Sequence, residues 1–100
     1  MDSDLIGLSK NTVPRTNYQV RRRSYNDDIW LVHQNHWYAI DENADFVWRS
    51  CEASNTVEAT IRGLAEEKNL TLADALAETS YALGCFQELG LLTWDEGDNG

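Results

Sequence analysis

The side chains of this sequence most able to do chemistry are His33, His36, Cys51 and Cys85, the carboxylates Glu66-Glu67 and Asp95-Glu96-x-Asp98, and the basic run Arg21-Arg22-Arg23. Two histidines and two cysteines make up the ligand count of a tetrahedral zinc site. However, His33-x-x-His36 straddles a turn between strands, and both cysteines fall inside helical patterns at spacings unlike a closed zinc module. A Cys-His nucleophile needs a thiol exposed in electropositive surroundings, whereas these two cysteines sit on or near apolar helical faces of an acidic chain. The residues read instead as two reduced, buried thiols, two solvated turn histidines and carboxylates on a solvated face. No Gly-rich phosphate loop, HExxH, GxSxG or paired CxxC is present. The expectation is therefore a protein that is not an enzyme, with no metal and no cofactor. In the basic run, alternation along a strand turns Arg21 and Arg23 to one face and Arg22 to the other. The run then either presents guanidinium groups to an acidic partner or pairs with acids of the first helix, and the many nearby carboxylates favour the internal pairing.

These groups need elements to hold them. Residues 1–16 show no sustained period and contain the only proline, Pro14, so they read as a mobile arm. Three short runs rich in Val, Ile, Trp and Tyr follow, at Tyr18–Ser24, Ile29–His33 and Trp37–Ile40. Asn26-Asp27-Asp28 and Gln34-Asn35 separate them as turns, which makes a three-stranded antiparallel meander. Asp41 stands as the N-cap of a first helix over Glu42–Cys51, whose Ala44, Val47, Trp48 and Cys51 share one face. Ser54-Asn55-Thr56 supplies the caps of a second helix that reaches Lys68 with Val57, Ile61, Leu64 and Ala65 inward, and Asn69 ends it. Thr71-Leu72-Ala73-Asp74 opens a third helix, read with Leu72, Leu76, Thr79, Leu83 and Phe86 on its core side, and Gly90 stops it after Leu89. Leu91–Trp94 is extended, and residues 95–100 form an acidic, frayed tail. Strands followed by helices make an α+β order with no internal repeat.

Composition bounds what such a domain does. One hundred residues allow a single domain, and 42% hydrophobic against 25% charged residues suits a globular chain. No run approaches the roughly 20 consecutive apolar residues of a membrane span. The start Met1-Asp2-Ser3-Asp4 is unlike a secretory signal, so the expected compartment is the cytoplasm and no membrane partner is expected. The net charge of −9 opposes nucleic-acid binding. Residues 1–24 hold five basic and two acidic groups, and residues 25–100 hold three basic and fifteen acidic groups. The second part would suit a cationic or amphipathic partner.

The order of motifs carries more than any single residue. Trp37-Tyr38-Ala39-Ile40-Asp41, then Ala44, Val47-Trp48, Thr56-Val57-Glu58, Leu83, Phe86 and Gly90-Leu91-Leu92, resembles the PqqD-like family over Tyr18 to Trp94. That family shows a Tyr-x-Leu-Asn step, an Ala, an Ile-Trp pair, a Thr-Val-x-Glu-like helix opening and a closing Gly-Leu-Leu. This chain departs from it at Ile40-Asp41, at Ala53 where a glycine follows the first helix, and at Cys51 where a leucine is usual.

The resemblance implies a winged helix-turn-helix-like domain that recognises the leader of a ribosomally synthesised precursor peptide, that is, a RiPP recognition element. In such domains the leader adds as an antiparallel strand to the third strand and lies between it and the third helix, presenting the precursor to modifying or processing enzymes. Small stand-alone versions look most like those of lasso-peptide clusters, where the partners are a leader peptidase and a cyclase. The implied peptide-binding residues are Trp37, Tyr38, Ala39 and Ile40 on the strand and Ala75, Glu78, Ala82 and Cys85 on the helix. Tyr38 and Ile40 match core positions, Trp37 and Ala39 face outward, and Glu78 pairs with a basic leader residue. The rival readings are a winged-helix DNA-binding regulator and an adaptor subunit of an enzyme complex. Thr71–Leu89 contains no Lys or Arg, which disfavours the first of these.

Overall fold

The structure, a computed structural model, describes residues 9–94. Its elements are β1 (Arg15–Thr16), β2 (Arg21–Tyr25), β3 (Asp28–His33), β4 (His36–Ile40), α1 (Glu42–Glu52), α2 (Val57–Lys68), α3 (Leu72–Glu88) and β5 (Leu92–Thr93). The fold is α+β, with a three-stranded antiparallel sheet in the order β2-β3-β4 and three helices. No helix among the described residues is long and apolar enough to cross a membrane.

Two tight hairpins build the sheet. Asn26 and Asp27 have φ of 57° and 69°, and Gln34 and Asn35 have 53° and 68°. Two consecutive left-handed residues twist the chain as the flanking strands require. Asp28, expected in the first turn, is the first residue of β3 and pairs with Tyr25. The register places Leu31 opposite both Arg22 and Tyr38, so these three share the inner face, on which Leu31 is fully buried. Arg21, Arg23, Trp30, Val32, Trp37 and Ala39 occupy the outer face by alternation.

The three helices start where their caps stand. Asp41, Thr56 and Thr71 accept hydrogen bonds from the backbone N–H groups of Ala44 (2.8 Å), Ala59 (3.1 Å) and Asp74 (3.0 Å). Asn69 closes α2 in the left-handed conformation at φ 58°. At the end of α3, Gly90 takes φ 76°, and the Leu91 N–H donates to the Phe86 carbonyl at 2.8 Å while the Gly90 N–H donates to that of Gln87 at 3.0 Å. This is a Schellman closure, and it turns the fully buried Leu91 into the core. Ala53, where the PqqD-like pattern has glycine, has φ of −84°, which any residue adopts. The left-handed position after α1 is Ser54 at φ 64°.

The core gathers Leu31, Val47, Trp48, Val57, Leu64, Leu83, Phe86, Leu91 and Leu92, with the Trp48 and Phe86 rings edge to face at 5.3 Å. Two expectations need correction here. The core stripe of α3 is Ala75, Thr79, Ala82, Leu83 and Phe86, whereas Leu72 is exposed and Leu76 only half-buried. Packing against both α1 and α2 rotates the buried face away from the most apolar one. The arm expected over residues 1–16 is also not free where it is described. The carbonyls of Lys10 and Thr12 accept from the N–H groups of Glu58 (3.0 Å) and Val57 (2.8 Å), Pro14 is fully buried, and β1 pairs antiparallel with β5. Backbone groups of this segment thus satisfy orphan amides of the first turn of α2. Residues 1–8 of the arm and the acidic tail 95–100 lie outside the described residues.

Candidate functional site

β4 is the last strand of its sheet, and among the described residues nothing pairs with its outer side. Such an edge keeps a row of main-chain donors and acceptors available to another chain. Beside it runs α3, and a cleft of about 480 Å³ lies between them. Trp37, Tyr38, Ala39, Ile40 and Asp41 form one wall, Glu78, Tyr81, Ala82, Cys85 and Leu89 the other, and Ala44, Phe86 and Leu91 complete the lining.

Contacts outside the cleft tie the sheet to the helices on either side of it. At one end Asn17 bridges the hairpin and the end of α3. Its Nδ2 lies 3.3 Å from His33 Nε2 and donates to the Gly90 carbonyl at 3.4 Å, while its N–H donates to the Leu91 carbonyl at 2.8 Å. At the other end β4 passes through Asp41 into α1, and Arg22 of β2 ties the sheet to α1. Arg22 Nε and Nη2 donate to the two carboxylate oxygens of Asp45 at 2.6 and 3.0 Å. Asp45 is buried and also meets Arg49 at 3.6 Å. The hydrogen bond to Asp45 raises the Arg22 pKa above its ordinary value, so the guanidinium stays charged. The internal pairing expected for the arginine run is thus made by Arg22, with Arg21 and Arg23 left exposed.

Seven of the eight residues expected to bind peptide line this cleft: Trp37, Tyr38, Ala39, Ile40, Glu78, Ala82 and Cys85. Tyr38 and Ile40 are half-buried and Ala39 exposed, while Trp37 is 51% exposed and meets Trp30 edge to face at 5.9 Å. Ala75 is the exception. It is fully buried in the core and takes no part in the lining, because α3 turns that position onto its neighbouring helices. Ala82 is also largely buried but forms part of the floor.

Sequence reasoning passed over Tyr81 and Leu89. Both recur with Glu78, Ala82 and Cys85 at helical spacing of three or four, so following the period from Glu78 would have reached them. Tyr81 is 73% exposed, and the neighbouring Cys85 side chain first, then desolvation and the charge of Asp41, raise its pKa.

The two cysteines are not alike, and the expectation of two buried thiols holds only for Cys51. Cys85 is half-buried and lines the cleft. Cys51 lies in the core, where desolvation first and the charge of Glu52 second push its pKa up to about 12. His33 and His36 face each other across the β3–β4 turn. Among the described residues no three His, Cys, Asp or Glu side chains come together as metal ligands. The cleft thus brings together apolar side chains, two carboxylates and a free strand edge. Comparison of the chain with protein-family models, curated proteins and solved structures finds no match.

Proposed function

We propose that this protein is a non-catalytic recognition domain for the leader segment of a ribosomally synthesised precursor peptide, of PqqD-like, winged helix-turn-helix-like type. The leader adds as an antiparallel strand to the free edge of β4 and packs its inward side chains against α3, leaving the rest of the precursor accessible to a modifying or processing enzyme. The observation that carries this reading is the cleft of about 480 Å³ between an unpaired strand edge and a helix face. Strand addition draws affinity from main-chain hydrogen bonds and specificity from pockets for alternate side chains. The low walls of Ala39 and Ala82 leave room for a partner's side chains, while Trp37, Tyr81 and Leu89 offer exposed apolar surface to be covered.

The test is a ¹⁵N HSQC titration of the protein with a candidate leader peptide. The expected result is shifts concentrated in Trp37–Asp41 and Glu78–Leu89. A well-folded sample that shows no shifts with any leader would overturn the reading in favour of an adaptor subunit of an enzyme complex.

A further inference from the structure

The cleft has chemically distinct ends. Asp41 and Glu78 are the only charged groups among its described lining residues, and no Lys, Arg or His lines it. β4 ends at Ile40 and passes through Asp41 into α1, which packs against α3, and Asp41 lines the cleft together with Glu78 and Tyr81. Asn17 links His33, the cross-strand partner of His36, to Gly90, which places the start of β4 beside the end of α3. β4 and α3 therefore run in opposite directions. The two acids lie toward one end of the cleft, and the apolar Trp37 and Leu89 lie toward the other.

We propose that this asymmetry makes the cleft read an extended peptide in one direction, taking a lysine or arginine at the Asp41–Glu78 end followed about four residues later by a bulky apolar side chain at the Trp37–Leu89 end. This rests on the strand-addition reading above. A strand antiparallel to β4 meets Asp41 before it meets Trp37, and antiparallel pairing is the more stable kind. From Trp37 to Asp41 is four residues, about 13 Å at roughly 3.3 Å per residue, which fixes the spacing. An anion at the acidic end would meet like charges, so the same feature that attracts one orientation repels acidic segments. The chain as a whole, at −9, attracts any cationic peptide. Only the local placement of the two acids distinguishes the order of residues within the peptide.

The probes are two acetylated, amidated nonapeptides of identical composition and charge, Ser-Lys-Thr-Val-Thr-Leu-Ser-Thr-Ser and its reverse, titrated into ¹⁵N-labelled protein at millimolar concentration. The forward peptide is expected to shift β4 and α3 amides with a Kd about fivefold below that of the reverse peptide, the scale of exposed ion pairs. The preference is expected to vanish in Asp41→Asn/Glu78→Gln, in which asparagine keeps the helix cap. Equal Kd values for two peptides that both shift β4 and α3 would overturn the directionality and leave the recognition reading standing. A preference that survives the double substitution would overturn the role of the two acids. No shift at β4 or α3 with either probe would overturn the strand-addition reading and the directionality with it.

Discussion

Arg22 and Asp45 meet in a two-point contact, at 2.6 and 3.0 Å, that joins the inner face of the sheet to α1. The carboxylate is buried while the guanidinium stem lies partly at the surface. Removing one partner of such a pair leaves a charge with little solvent, and Arg49 at 3.6 Å is too long and too exposed to compensate fully. Arg22→Ala is expected to lower unfolding stability by about 2 to 3 kcal/mol in urea titrations. Arg22→Met/Asp45→Leu should recover most of that loss, because the paired charges contribute little net stability over an apolar pair. A single substitution within error of the parent would show that the pair does not hold the sheet to α1.

The segment before β2 is held by Pro14 and by two carbonyls over the start of α2. Pro14→Ser places a hydroxyl in an apolar site and frees the chain ahead of β1, at an expected cost of about 2 kcal/mol. Amide exchange at Val57 and Glu58 should rise in the same variant, because their acceptors are the carbonyls of Thr12 and Lys10. Unchanged exchange at those two amides would show that the segment does not cap α2.

Trp37 is half exposed, so Trp37→Ala should leave the melting transition close to that of the parent, losing only the edge-to-face contact with Trp30 at about 1 kcal/mol. Leader binding should weaken by about 2 kcal/mol, roughly thirtyfold in Kd, as for an aromatic hot-spot residue. Calorimetric titration checks this. Parent-like affinity would remove Trp37 from the binding surface.

Burial pushes Cys51 up to about 12 from an ordinary thiol value of 9, so the folded state holds this proton more tightly than the unfolded state does. The associated stability is fully present below pH 9 and is lost as pH rises from 9 through 12. Urea titrations at pH 8, 9.5 and 10.5 are expected to show a steeper alkaline decline for the parent than for Cys51→Ala. Identical slopes would contradict this assignment.

Cys85, half-buried beside Tyr81, should react with a thiol-specific disulfide reagent at pH 8 at least about ten times faster than Cys51, which reacts only after local opening. A bound leader should slow the Cys85 reaction, because the thiol lines the cleft the peptide fills. Equal rates for the two thiols, followed separately in Cys51→Ala and Cys85→Ala, would show that the cleft wall is not accessible.

Local signals in the chain determined nearly all of the elements. Asp41, Thr56 and Thr71 cap the helices expected of them, Asn69 and Gly90 end two of those helices, and Asn26-Asp27 and Gln34-Asn35 turn the hairpins. Each is a preference of one or two residues for a backbone conformation, settled within a few positions of the chain. Alternation likewise separated the two faces of β4, and the resemblance, by matching Tyr38 and Ile40 to core positions, assigned Trp37 to the outward one. What only the tertiary structure decided depends on neighbours distant in sequence. The rotation of α3, which buries Ala75 and exposes Leu72, follows from packing against α1 and α2 together, a constraint that no period within α3 contains. The pairing of Arg15–Thr16 with Leu92–Thr93 joins two segments too short to show a strand period. The place of Cys85 and Tyr81 beside the edge of β4 comes from that same helix rotation. Residue type specified the pieces because their preferences are local, and the cleft formed where the packed pieces left space.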